Sequence, residues 1–174
     1  MGLYNKIHYY FGDGKGKTSA ATGAAVRMAG SGGNVVFCQF LKSGTSSETT
    51  VLNNAENIKC MAVDEPIGFV WNMSREEKEA TAKVTQRLFE KRAEAGKQAQ
   101  MIILDELTDA VDCGFLDKEW VISEVQRLSA GAEIIITGHR QDRDFIRIAD
   151  YVSEIKSIKH PYESGLKARK GIEF

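Results

Sequence analysis

Between a short apolar run and an alanine-rich stretch near the start of the chain stand Gly12, Asp13, Gly14, Lys15, Gly16, Lys17, Thr18 and Ser19. These residue types suit a phosphate chain. Holding one takes backbone N–H groups aimed inward, glycines that let the backbone approach, and a helix N-terminus behind them. On that reading Lys17 reaches the outer phosphates and the Thr18 hydroxyl binds Mg²⁺. The usual spacing puts its first glycine at the position occupied here by Phe11, so the loop is one residue short. It is expected to hold phosphates differently from a common ATPase. The bland alternative, a glycine-rich turn with incidental lysines, is disfavoured by the strand before it and the helix after it.

A second cluster is Asp105-Glu106, an acidic pair at the end of the apolar run Met101-Ile102-Ile103-Leu104. A nucleotide-binding fold holds its metal with such carboxylates, directly or through water. A carboxylate alone at a strand end is commonly just solvated; paired with Lys17 and Thr18, the metal reading is favoured. An Asn-Lys-x-Asp run, which would mark guanine recognition, does not occur in the sequence. An arginine-rich lid of the small nucleotide kinases is not evident either. Spacing therefore gives a nucleotide site and leaves the second substrate open.

The elements that must position these residues alternate. Strands are expected over residues 7–11, 35–41, 58–63, 101–104, 133–137 and 151–155, with helices over 18–28, 74–95, 117–128 and 142–149. Ser74-Arg75-Glu76-Glu77 has the Ser-x-x-Glu form that caps a helix start. Gly96 is expected to end that helix, and the glycines around residue 30 to end the first one. The run over residues 101–104 is continuously apolar, as in a strand buried on both faces. Alternation of this kind predicts an α/β fold, a mostly parallel sheet with helices on both faces. Its ligands belong beyond the carboxyl ends of the strands. Residues 42–57 are polar and poorly periodic, and are expected to form a mobile loop over the site. Residues 1–174 read as a single domain.

Composition narrows the partners. With 23 basic against 24 acidic residues the net charge is −1, which gives no bias towards nucleic acid or a membrane surface. No export signal or membrane-spanning run is read, and the three cysteines, Cys38, Cys60 and Cys113, lack CxxC spacing. Free thiols in the cytoplasm are the expectation.

Taken together, the motifs resemble the P-loop type of ATP:corrinoid (cob(I)alamin) adenosyltransferases over nearly the whole chain. The resemblance rests on the short loop at residues 12–19, on Gln39-Phe40-Leu41-Lys42, on Gly68-Phe69-Val70-Trp71, and on Leu104-Asp105-Glu106-Leu107-Thr108. It also rests on Ala149-Asp150-Tyr151-Val152 and on the tail from Lys159-His160-Pro161-Tyr162 to Gly171-Ile172-Glu173-Phe174. It implies a RecA-like fold and a reaction in which Co(I) of a reduced corrinoid attacks the 5′ carbon of ATP and tripolyphosphate leaves. It also implies that ATP lies reversed relative to common P-loop enzymes. Lys15, Lys17, the loop amides and Mg²⁺ on Thr18 and Glu106 would stabilise the leaving group, with Asp105 beside them.

By the same resemblance Phe69 and Trp71 contact the corrinoid and help detach its lower ligand. Read from spacing alone, the two are as often ordinary core, as Trp120 is. Arg140 would contact phosphate, although His139 stands where the family usually has its arginine. A lone histidine such as His160 is more often structural and is given no catalytic part. The resemblance further implies a homodimer and a reductant protein such as a flavodoxin. The family's N-terminal lid is expected to be short or absent here. Another P-loop kinase or ATPase, or a regulatory nucleotide-binding module, stays open as an alternative.

Overall fold

The computed structural model describes residues 5–42, 46–63 and 72–172. Phe69 and Trp71 lie outside the described residues. Six strands, β1 (Ile7–Phe11), β2 (Val35–Gln39), β3 (Ile58–Ala62), β4 (Met101–Asp105), β5 (Glu133–Thr137) and β6 (Tyr151–Glu154), form one sheet in the order β3-β2-β4-β5-β1-β6. Every described pairing is parallel. All carboxyl ends therefore open on one edge. β5 lies between β4 and β1, and so brings its last residue, Thr137, between the acidic pair and the glycine loop.

The helices are α1 (Lys17–Gly30), α2 (Ser47–Leu52), α3 (Arg75–Ala95), α4 (Leu107–Asp112), α5 (Lys118–Ser129) and α6 (Arg143–Ile148). Strand alternation divides the core in two. Val36, Cys38, Ile102 and Leu104 face one way and pack with Leu88 of α3, Leu107 of α4, Val121 of α5 and Phe145 of α6. Val35, Phe37, Ile103 and Ile135 face the other way and pack with Ala21 and Ala25 of α1 and Leu52 of α2. Central β2 and β4 are buried at every position, which is why they read as unbroken apolar runs. The small residues of α1 allow close approach to the sheet. Each fully buried Leu, Ile, Val or Phe contributes ~1.5–3 kcal/mol, and these two layers fix the strand ends that carry the chemistry.

The Ser74 capping box forms as expected, with Ser74 Oγ accepting from Glu77 N and Glu77 returning the bond to Ser74 N. Within residues 42–57 the loop expectation is corrected. Ser47–Leu52 are helical, with Thr49 and Leu52 buried. Leu52 anchors that helix by packing into the α1 side of the core, a tertiary contact with no local signature. No helix among the described residues is long and apolar enough to cross a membrane.

Candidate active site

The loop after β1 is shaped by its glycines. Gly12 and Gly16 hold φ of 119° and 116°, a left-handed region that a side chain would strain. A Cβ on Gly12 would stand 2.3 Å from Ile155 O, and one on Gly14 would stand 2.7 Å from the same oxygen. The loop is wedged against the backbone that follows β6. Gly14 N donates to Ile155 O at 2.8 Å and Gly12 N to His139 O at 3.1 Å. Behind it, α1 starts with neither a side-chain cap nor an acidic residue in its first turn. Its N-terminal positive potential is thus left for a ligand.

Lys17 is buried at 9% exposure, and its ammonium donates to Gly12 O at 2.7 Å and Gly14 O at 2.9 Å. Burial pulls its pKa below the ordinary lysine value, against the pull of Asp109, Glu106, Asp13 and Asp105. The residue is held at the mouth of the loop by groups that a phosphate would outbid.

The acidic pair divides its work. Asp105 is sealed at 0% exposure and saturated with donors. Its Oδ1 accepts from Thr18 Oγ1 at 2.9 Å and Thr137 Oγ1 at 2.8 Å, and its Oδ2 from Gln39 Nε2 at 3.2 Å and Lys42 Nζ at 3.1 Å. Glu106 takes the left-handed φ of 60° and donates its N–H to Thr137 Oγ1 at 2.9 Å, so that its carboxylate turns to the cavity as α4 begins. Burial raises the Glu106 pKa, and the Asp105 charge adds to that while Lys42 opposes it. The Lys42 ammonium lies 3.1 Å from Glu106 Oε1, 3.1 Å from Asp105 Oδ2 and 3.3 Å from Thr18 Oγ1. Burial works against its charge, but the two carboxylates outweigh that and raise its pKa. Three oxygens thus converge on one cation. An all-oxygen set of this kind fits a hard divalent ion such as Mg²⁺.

These groups surround a cavity of about 570 Å³, inside the size range of small-molecule sites. Residues 13–19 of the loop line it, with Thr22, Lys42, Glu106, Thr137 and His139; α2 adds Ser47 and Glu48, and the tail adds His160, Gly171 and Ile172. His139 hydrogen-bonds to Asp109 through Nδ1 at 2.9 Å and through its backbone N–H at 3.0 Å. That side-chain bond raises its pKa above the ordinary histidine value, although burial pulls it down. Arg140 is absent from the cavity wall. Its charge acts instead on Asp112 and Cys113 at the end of α4, while Tyr9 donates its hydroxyl to Arg140 O at 2.6 Å.

Several residues went unassigned by sequence reasoning. Gln39, Lys42 and Thr137 enter through the sheet order, and Ser47, Glu48 and His160 through segments read as loop or tail. The local signals were polar residues at the ends of buried strands, Gln39 and Thr137, and the runs Gln39-Phe40-Leu41-Lys42, Ile136-Thr137-Gly138 and Lys159-His160-Pro161, which carried the resemblance without a role for these residues.

A lysine-and-helix-end cradle facing an oxygen-lined cation position, on the carboxyl edge of a parallel sheet, is the working part of an α/β nucleotide-binding protein. The cytoplasmic domain of EssC shares the fold, with a TM-score of 0.57 at 15% identity, over 95% of this chain and 34% of that one. Sequence relationships go further. The chain belongs to the ATP:corrinoid adenosyltransferase family (BtuR/CobO/CobP), whose model matches residues 4–174. It is 37% identical to the corrinoid adenosyltransferase CobA of Salmonella typhimurium, over 97% of this chain and 85% of that protein. Identity is 35% to the Escherichia coli K12 corrinoid adenosyltransferase over the same shares. The Pseudomonas aeruginosa enzyme is 32% identical, over 94% of this chain and 80% of its own length.

Proposed function

We propose that this chain transfers the 5′-deoxyadenosyl group of ATP to the Co(I) centre of a reduced corrinoid, forming adenosylcobalamin or its analogue. The cobalt electron pair forms the bond to C5′, the C5′–O bond breaks, and its electrons leave on tripolyphosphate. Co(I) is itself the nucleophile, so no side chain has to remove a proton. What remains for the protein is to place the carbon in line and to stabilise charge on the leaving oxygens. The observation that carries this reading is the concentration of positive potential where the triphosphate would lie: buried Lys17, the uncapped start of α1, and the cation position at Lys42.

Thr18, Asp105 and Glu106 would hold Mg²⁺, which when bound supplies positive charge to the triphosphate oxygens. Lys15, Ser19 and the loop amides other than those of Gly12 and Gly14 complete the phosphate site; Arg140 joins it by turning from Asp112. β5 between β1 and β4 supports a RecA-like arrangement, and the shortened loop supports an ATP lying reversed in it. Phe69 and Trp71 belong to the corrinoid side. β3, the strand before them in the chain, ends on the same carboxyl edge as the β1 strand that leads into the phosphate loop. A single domain over residues 1–174, a cytoplasmic homodimer and a separate reductant protein complete the proposal.

An anaerobic assay with ATP, Mg²⁺ and chemically reduced cobalamin tests it. A light-sensitive adenosylated product with tripolyphosphate is the expected result. ADP with an unchanged corrinoid spectrum would instead identify a kinase or ATPase, and ATP binding without product a regulatory module.

A further inference from the structure

We infer that Lys42 is a built-in placeholder for the divalent cation, so that metal enters the site only in exchange for the ammonium and only together with the nucleotide. The inference rests on the reading of Thr18, Asp105 and Glu106 as the metal's ligands. Its basis is geometric. The ammonium stands within 3.1 to 3.3 Å of one oxygen from each of those three residues. A Mg²⁺ ion bound there would need its oxygens at about 2.0–2.1 Å. Two cations do not share that space, so the lysine has to leave as the metal arrives.

The lysine has a route and a destination. Its side chain is 32% exposed, on a flexible four-carbon stem that follows β2. It lines the same cavity as the phosphate loop, so a triphosphate there offers the displaced ammonium new oxygens. Metal alone offers it none. Nucleotide-free protein therefore keeps its internal cation, and the triphosphate shifts the exchange towards the metal. The start of α2 is tied into the same exchange. Ser46 Oγ donates to Gln39 Oε1 at 3.1 Å, and Gln39 Nε2 donates to Asp105 Oδ2 at 3.2 Å. Moving Lys42 off Asp105 thus alters a carboxylate that also holds the strand end leading to α2.

The test measures bound Mn²⁺ by water-proton relaxation enhancement on the purified full chain, with and without ATP. Wild-type protein is expected to bind Mn²⁺ weakly alone and to give strong enhancement with ATP present. Lys42→Met is expected to bind Mn²⁺ alone more tightly by ~5–150-fold, the range of coupled sites, so that ATP adds little further. Lys42→Gln, a shorter polar replacement, serves if the methionine variant does not fold. Unchanged Mn²⁺ affinity in both variants, with wild-type enhancement by ATP intact, would overturn the placeholder and leave the metal site standing. If even wild-type protein with ATP shows no enhancement, the metal site itself fails and the inference goes with it.

Discussion

Asp105 and Arg92 are equally hidden from solvent, at 0% and 1% exposure, and they are opposite kinds of buried charge. Asp105 stands at the carboxyl edge of the sheet with four side chains donating to it. Arg92 lies near the far end of α3, with its guanidinium 3.3 Å from the centre of the Phe89 ring. Among the described residues its Nε and one terminal nitrogen have no hydrogen-bond partner, and its carboxylate neighbour Glu124 is 3.7 Å away. Glu124 is already paired with Arg127 at 2.8 Å. Burial accordingly pulls the Arg92 pKa down to about 10. A charge that the fold satisfies completely, at a strand end facing a cavity, belongs to a prepared site. One left on an aromatic face belongs to packing.

The sharpest way to break this contrast is to remove each charge in turn. Asp105→Ala leaves Lys42 to Glu106 alone and deprives the Thr18, Thr137 and Gln39 donors of their acceptor. Each buried donor left without a partner costs ~1–3 kcal/mol, which urea unfolding would read directly, and ATP use should disappear with it. Lys17→Ala is different in kind. Among the described residues its ammonium hydrogen-bonds only to loop carbonyls, so the fold should persist while product formation falls by ~10²–10³-fold, the loss seen for a single charge-stabilising donor. Stability and turnover measured on the same preparation separate the two effects.

Arg92→Met should behave the other way. Methionine retains much of the apolar bulk over Phe89, and Glu124 keeps Arg127 as its partner. Exchanging poorly paired buried charge for apolar volume ranges from neutral to a gain of ~1–4 kcal/mol. A loss as large as that of Asp105→Ala would show that Arg92 is satisfied after all and would erase the distinction between the two sites.

Much of this was legible in the chain, and the part that was not has a physical cause. β4 was readable because a strand covered on both faces needs apolar residues throughout, and α3 because its cap is written in Ser74 and Glu77. The glycine loop was readable because positive φ and close approach demand glycine at fixed positions. α2 and α4, at six residues each, are too short to stand on helical propensity, so their sequences carry little periodic signal. Lys42, Gln39 and Thr137 reach the site only because β2, β4 and β5 are neighbours, and strand order is not a local property. Spacing alone did not tell Asp105 from Glu106; only the resemblance put Mg²⁺ on Glu106 with Asp105 beside it. The left-handed turn at Glu106 separates them, one sealed inside the network and one turned to the cavity.

Between the two extremes lies His139 with Asp109, an ion pair on the cavity wall whose histidine side chain is 59% exposed. The Asp109 hydrogen bond raises the His139 pKa above 6.5. A histidine with a raised folded pKa stabilises the protein fully below its unfolded value, and that contribution is lost as pH rises through the folded pKa. Asp109→Asn should return the His139 titration, followed by NMR, towards 6.5, while the amide oxygen can still accept from the His139 backbone N–H. The difference in melting temperature between wild type and variant should be largest at acid pH and shrink as pH rises through the raised pKa. For a pair this exposed the amplitude belongs to the ~0–1 kcal/mol class. A titration unmoved by Asp109→Asn would assign the shift to the remaining cavity charges, and His139 would then report on the whole site rather than on one partner.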